Sequence, residues 1–231
     1  NREDYDAISR YHFKCDSYTL TRGVGINGER FKPVSRERKL ELRHEFGIPD
    51  NAFVMIFPAM FIGRKHHDKL LEVMRILTEA VSDMYLLLPG EGEILEQVRE
   101  SAAEFGDHVK FVGHVSNMED YYAASDIDVT MSRLEGLATH IIEAMSVGLP
   151  CVATMMRGHS DIVSDGVNGF LVAPGDTAAF ADRVLRLYND RATLAEFGGH
   201  AGATAKKFWV ENIIPDYKRL YSEVLGIDDE L

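Results

Sequence analysis

The chain has 231 residues, 45% of them hydrophobic, and a formal net charge of -12, enough for one large domain or for one domain plus part of another. Its acids are scattered rather than gathered in a tail, and the lack of a basic stripe disfavours a general nucleic-acid binder. No apolar run reaches the roughly 20 residues that span a bilayer, and two cysteines, Cys15 and Cys151, are too few for a disulfide framework.

Residues 1–13 (NREDYDAISRYHF) predict a helix and residues 17–20 a strand. The run TRGVGINGERF follows, a connection built from turns, with three glycines and an Asn-Gly pair. No earlier strand exists for residues 17–20 to join, so residues 1–30 read as the tail of an upstream domain and its interdomain connection. The main domain then covers 31–208 and a last helix 209–231. On this reading the chain is the rear part of a longer protein. Residues 35–46 predict a helix stopped by Gly47 and Pro49; its basic run SRERKLELR is interrupted by acids, as on a solvated helix face.

Regular alternation begins after Pro49. Strands are expected at 52–57, 84–88, 109–112, 127–131, 151–154 and 170–172. After the first comes a helix with Leu70, Leu71, Met74, Leu77 and Val81 at a 3.6-residue period. The next turns Ile94, Leu95, Val98 and Ala102 inward, and Ser116 with Glu119 has the spacing of a capping box. A helix starting near Thr139 carries Glu143 and is stopped by Gly148. A short helix is expected from Ser160; Pro174, Gly175 and Asp176 launch another with Phe180, Val184 and Leu187 on one face, and two more follow over 192–206 and 210–225, the last bent at Pro215. Short strands separated by helices indicate an α/β, Rossmann-like parallel sheet with helices on both faces. Cys151, in a strand-like apolar run, reads as a buried free thiol, which fits a reducing cytoplasm.

Ligands of such sheets bind beyond the carboxyl ends of the strands. That rule brings AMFIGRKHH, PGEGE, the loop after Val112, SRLEGLAT and MMRGH to one side. Arg64 and Lys65 suit a pyrophosphate, the guanidinium donating as a fork and the ammonium as a mobile point charge. Cations at the positive end of a helix call for a compensating anion. His66 and His67 lack the further ligands a metal site needs. The glycines of PGEGE allow either close approach to a ligand or a tight turn; PGEGE is not a G-x-G-x-x-G fingerprint, and no P-loop occurs in the chain. Asp126 and Asp128 read as structural, one before its strand and one within it.

Around the Thr139 helix, Glu143 is placed to accept both hydroxyls of a ribose. Glu135 lies nearer a transferred group, where it can bond sugar hydroxyls or support positive charge at an anomeric carbon. The amides of Gly136, Leu137 and Ala138 can hold a departing phosphate, an anion site at a helix opening. No Ser-His-Asp or Cys-His order is legible. A hydrolase using both glutamates stays open, although the adjacent cations favour a phosphorylated donor.

The run SRLEGLATHIIEAMSVGLPCVATMMRGHSDIVSDGVNGFLV resembles the C-terminal donor-binding domain of the family 4 retaining glycosyltransferases of GT-B architecture, closest to the polysaccharide-building branch. The likeness covers nearly all of residues 20–225. Glu135 and Glu143 match the family's two glutamates with seven residues between them, Arg64 and Lys65 its basic pair, and GVGINGERF its interdomain connection. The resemblance implies transfer of a sugar from a nucleotide sugar with retention, no required metal or other cofactor, and UDP as nucleotide with GDP as runner-up. It places Arg64 and Lys65 on the diphosphate, Glu143 on ribose, Glu135 on the sugar, and Gly113, His114 and Val115 beside the base. The glycan or lipid-linked acceptor, a further catalytic residue and any peripheral membrane contact would belong to an N-terminal domain, toward which the last helix crosses with Ile213, Ile214, Tyr217, Tyr221 and Val224. This chain alone would then bind donor weakly and transfer little. Ala59 and Ala138 depart from the family's usual glycine, or glycine or proline, leaving the shape of the sugar pocket open. Competing readings are a GT-B phosphorylase or epimerase and, from a different class, a non-catalytic nucleotide-binding or assembly module.

Overall fold

The computed structural model describes residues 2–8, 10–11 and 22–226; the strand expected at 17–20 and Cys15 lie outside them. The first helix, α1 (Arg2–Ile8), is shorter than expected. Helix α2 (Arg36–Glu45) starts where the Ser35 side chain accepts a hydrogen bond from the Arg38 amide at 3.2 Å, and the chain leaves it through Gly47 at φ +63°.

The alternation expected from the sequence follows: β1 (Phe53–Ile56), α3 (His67–Ala80), β2 (Met84–Pro89), α4 (Leu95–Ser101), β3 (Val109–Gly113), α5 (Met118–Ala124), β4 (Ile127–Thr130), α6 (Thr139–Ser146), β5 (Cys151–Thr154), β6 (Gly169–Val172), α7 (Thr177–Asn189), α8 (Arg191–Ala205) and α9 (Val210–Leu225). Asp176 and Asp190 cap α7 and α8, accepting from the amides of Ala179 and Thr193 at 2.9 and 3.0 Å. Gly148, at φ +89°, follows the end of α6 as expected.

Two expectations fail. Ser116 and Glu119 form no capping box: α5 has no side-chain cap, because Glu119 is held by Arg30 at 2.7 Å and the Ser116 carbonyl accepts from the same guanidinium. The segment after Ser160 forms turns rather than a helix, closed by His159 and Ser160 amides on the Met156 carbonyl and Val163 on that of His159.

Six parallel strands stand in the order β3-β2-β1-β4-β5-β6, a Rossmann-like doubly wound sheet. Alternation along β1 sends Phe53 and Met55, with Phe57 beyond them, into a core with Leu70 and Met74 of α3 and Phe180 and Val184 of α7. Val54 and Ile56 go to the opposite face, against Tyr122 and Ala144. Both faces are covered, so the strands are largely apolar; β4 turns Asp128 and Thr130 inward, both fully buried, and β5 ends on the buried Thr154.

The connection and the last helix pack on each other. Ile26 bridges Trp209, Arg22 pairs with Asp216 at 2.6 Å, and the Tyr217 hydroxyl donates to the Gly23 carbonyl at 3.2 Å. A Cβ on Gly28 would lie 2.3 Å from the Trp209 ring. Helix α9 runs unbroken with Pro215 inside it; Ile213 is buried, while Ile214, Tyr221 and Val224 are exposed. Among the described residues no helix is long and apolar enough to cross a membrane.

Candidate active site

The strand order reverses between β1 and β4, which opens a crevice between the loops that follow them. The two loops are joined directly. The Arg133 amide donates to the Arg64 carbonyl at 2.8 Å, and the Lys65 ammonium pairs with the Glu135 carboxylate. Residues Gly63–Lys65 form a single 3-10 turn, and His66 enters α3 in the left-handed region at φ +54°. Arg64 and Lys65 therefore stand beside the loop that carries Glu135, but they are not equivalent. The Lys65 side chain is 12% exposed and its partner's 13%, whereas Arg64 is exposed and no ion pair or hydrogen bond engages its guanidinium among the described residues.

Burial pushes the Glu135 carboxyl up; the Lys65 hydrogen bond and charge, with the Ser132 hydroxyl and His140, pull it down further, so it lies below the usual carboxylate range. Glu143 is the opposite case. It sits one turn into α6, half-buried, and accepts from the Tyr122 hydroxyl at 3.0 Å. Burial raises its pKa, and Tyr122, His140 and Arg30 offset this only in part. The two glutamates thus differ in proton affinity because only one has a lysine against it.

Ahead of α6, Gly136 is exposed, Leu137 half-buried and Ala138 buried as the cap residue, with no side chain among the described residues capping the helix. The amides at this opening and the helix dipole favour an anion. Gly113, at the end of the edge strand β3, accepts from the Gly90 amide at 2.8 Å; His114 is exposed and Val115 half-buried, farther along the same edge of the sheet. The glycines of PGEGE serve loop-on-loop packing: a Cβ on Gly90 would lie 2.0 Å from the Ala59 carbonyl oxygen, and one on Gly92 would lie 2.4 Å from that of Phe61.

Several site residues were not legible beforehand. Register pairs Asp128 with Cys151 across β4 and β5; one Asp128 oxygen accepts from the Cys151 thiol at 3.2 Å and the other faces His140 Nδ1 at 3.3 Å. Cys151 is the buried free thiol expected. Gly158, at φ +80°, lets the MMRGH loop pass beneath Glu135: its Cβ would be 2.9 Å from the Glu135 carbonyl oxygen. Asp126 is structural as expected, accepting from Arg43, Lys39 and the Val54 amide at 2.7, 2.7 and 2.8 Å. His67 is buried and stacked on Phe61 at 4.2 Å, and burial beside Lys65 lowers it to about 4. Among the described residues no group of three or more His, Cys, Asp or Glu is placed to hold a metal ion.

Residues 38–203 match the family described as Glycosyl transferases group 1. Over 230 residues the chain is 31% identical to EpsD of Bacillus subtilis (strain 168), assigned as a glycosyltransferase, covering 99% of this chain and 60% of EpsD. It is 28% identical over 206 residues to the capsular polysaccharide biosynthesis glycosyltransferase CapM of Staphylococcus aureus, covering 87% of this chain and 53% of CapM. Among solved structures, Anabaena Alr3699/HepE in complex with UDP-glucose superposes with a TM-score of 0.78 at 25% identity, over 86% of this chain and 56% of that one. The chain thus spans between half and two thirds of the length of these relatives.

Proposed function

Because the chain belongs to the group 1 glycosyl transferases, we propose that it is the C-terminal, donor-binding half of a family 4 retaining enzyme of GT-B architecture. The reaction is transfer of a sugar from a nucleotide diphosphate sugar, UDP in the first instance, to a glycan or lipid-linked acceptor. One observation carries the reading: the β1 and β4 loops are latched across the switch point by Lys65 and Glu135, next to an uncapped helix opening and an exposed Arg64. The UDP-glucose complex of the Anabaena protein and the capsular role in the name of CapM support the donor and acceptor classes.

In this reading the diphosphate lies against the opening of α6. Arg64 donates to it as a fork, and Lys65 is shared between Glu135 and the phosphate. The amides of Gly136, Leu137 and Ala138 meet the charge that grows on the distal phosphate as its bond to the anomeric carbon breaks. Glu135, kept ionised by Lys65, faces the positive charge developing on the sugar, while Glu143 accepts from the ribose hydroxyls and Gly113, His114 and Val115 flank the base. No metal or other cofactor has a part in this scheme. Residues 1–30 and 209–231 serve the junction with an upstream domain, with Ile214, Tyr221 and Val224 facing it; that domain brings the acceptor, at the cytoplasmic side of the membrane where the acceptor is lipid-linked.

The test is calorimetric titration of the protein as its gene encodes it with UDP and GDP, then with Arg64→Ala and Glu143→Ala. Binding weakened by both substitutions supports the reading; no binding, and no change on substitution, refutes it. Nucleotide release with an acceptor panel, compared with inorganic phosphate and with neither, separates a transferase from a phosphorylase or epimerase. Binding without any release would identify an assembly module.

A further inference from the structure

Two histidines within electrostatic reach of Glu135 carry buried ring nitrogens that have no hydrogen bond among the described residues. His159 is 0% exposed and His140 9%, and among the described residues the Nε2 atom of each lacks a hydrogen bond. An unmade bond at a buried polar atom costs roughly 1–3 kcal/mol. Two in one small cluster point to a partner that arrives with a ligand.

The inward bonds fix which way each ring faces. His159 Nδ1 lies 2.9 Å from the Thr154 carbonyl, an acceptor, so Nδ1 carries the hydrogen. The Thr154 hydroxyl is committed to the Ser132 carbonyl at 2.9 Å. Burial lowers His159 to about 4, so at neutral pH its ring is uncharged and Nε2 offers a lone pair. His140 Nδ1 faces the Asp128 carboxylate, whose second oxygen is taken by Cys151, leaving Nε2 as its unspent atom. Glu135 is within electrostatic reach of both rings, and the rings of each other. Gly158, next to His159 in sequence, packs on the Glu135 backbone.

The partner that fits is a hydroxyl. His159 Nε2 needs a donor and would repel a phosphate oxygen; a hydroxyl is both donor and acceptor and satisfies either ring. Resting on the donor reading above, we propose that His140 and His159 form a hydroxyl-reading subsite for the transferred sugar, which selects a neutral sugar carrying free hydroxyls at the positions they meet.

The experiment uses the whole protein, a nucleotide-release assay and donors deoxygenated at one sugar hydroxyl at a time. His140→Asn and His159→Asn keep a donor near the Nδ1 position, and so the inward bond, but delete Nε2. Each is expected to lower kcat/KM for the intact donor about five- to tenfold, while binding of the free nucleoside diphosphate stays within twofold. For one deoxy donor per histidine, the penalty seen with the wild type should vanish in the matching variant. Unchanged discrimination in both variants, or an equal loss of nucleoside diphosphate binding, overturns the subsite; the unpartnered nitrogens would then hold water or be structural. His140→Gln and His159→Gln, with an amide near the Nε2 position, should recover part of the loss if the subsite is real. Failure of the wild-type protein to bind any nucleoside diphosphate would instead overturn the donor reading, and the subsite with it.

Discussion

The Lys65–Glu135 pair can be tested by replacing Lys65 with Met, which keeps the aliphatic stem but leaves a half-buried carboxylate without its cation. Exposed ion pairs couple by about 0.2–1 kcal/mol, whereas removing one partner of a buried pair costs about 3–5 kcal/mol. With side chains 12% and 13% exposed, this pair falls between: Lys65→Met should lose about 2 kcal/mol at pH 7, about 4–8 °C in Tm for a domain of this size. A double-mutant cycle with Glu135→Gln should give a coupling of about 1–2 kcal/mol. The pH dependence has a definite sign. Glu135 is depressed in the folded protein, so the pair's stability is present above the unfolded carboxyl pKa and lost as pH falls through the lower folded value. Without Lys65, only the Ser132 hydroxyl and His140 oppose burial, so Glu135 rises from its wild-type position and the defect should be full at pH 7 and shrink toward acid. Urea unfolding of the four proteins at several pH values reads this out. A coupling under about 0.3 kcal/mol, or a defect that does not change with pH, would refute a structural latch between the two loops.

Arg64→Ala should weaken nucleoside diphosphate binding about 10- to 100-fold by calorimetry and leave Tm within about 1 °C, since its guanidinium is exposed and supports nothing else among the described residues. Glu143→Gln should stabilise the protein at pH 7 by about 0.5–1 kcal/mol while weakening donor binding. A carboxyl raised by burial costs stability as pH rises from its unfolded to its folded pKa, and Gln removes that cost while keeping an acceptor for Tyr122; an unchanged or lower Tm counts against it. Gly158→Ala puts a Cβ 2.9 Å from the Glu135 carbonyl oxygen at φ +80°, so unfolding should show a loss of about 1–3 kcal/mol together with poorer donor binding.

The fold was legible where local periodicity decides. The apolar stripes of α3 and α7 and the four-residue span of β5 coincide with the expectation, because each is set by which residues face a core a few ångströms away. Expectations failed where a distant residue competes. Glu119 has capping-box spacing after Ser116, but Arg30, 89 positions earlier, takes its carboxylate, and no local rule contains that arginine. The same limit applies at the site. Residue type and loop position bring Arg64, Lys65, Glu135 and Glu143 to one edge of a parallel sheet. That Lys65 is bound to Glu135 while the Arg64 guanidinium is unengaged among the described residues depends on β1 lying beside β4, an adjacency that strand patterns do not encode.

His140 and Asp128 carry the point furthest. In the sequence, Asp128 is an acid inside a strand and His140 a polar residue in a helix's first turn, and neither placement calls for a ligand. Alternation turns Asp128 to the α6 face, register sets Cys151 beside it, and the helix lowers His140 onto the carboxylate. Each Asp128 oxygen then has a partner within the protein, and among the described residues the ring's other nitrogen is buried without a hydrogen bond. A structural role accounts for the first nitrogen and gives no reason for the second. Had the pair served packing alone, an apolar residue at 140 would fill the same space without stranding a polar atom. Among the described residues the Nε2 atoms of His140 and His159 share that state with both ring nitrogens of His67, which packs against Phe57 and Phe61; what sets His140 and His159 apart is that both rings lie within electrostatic reach of Glu135.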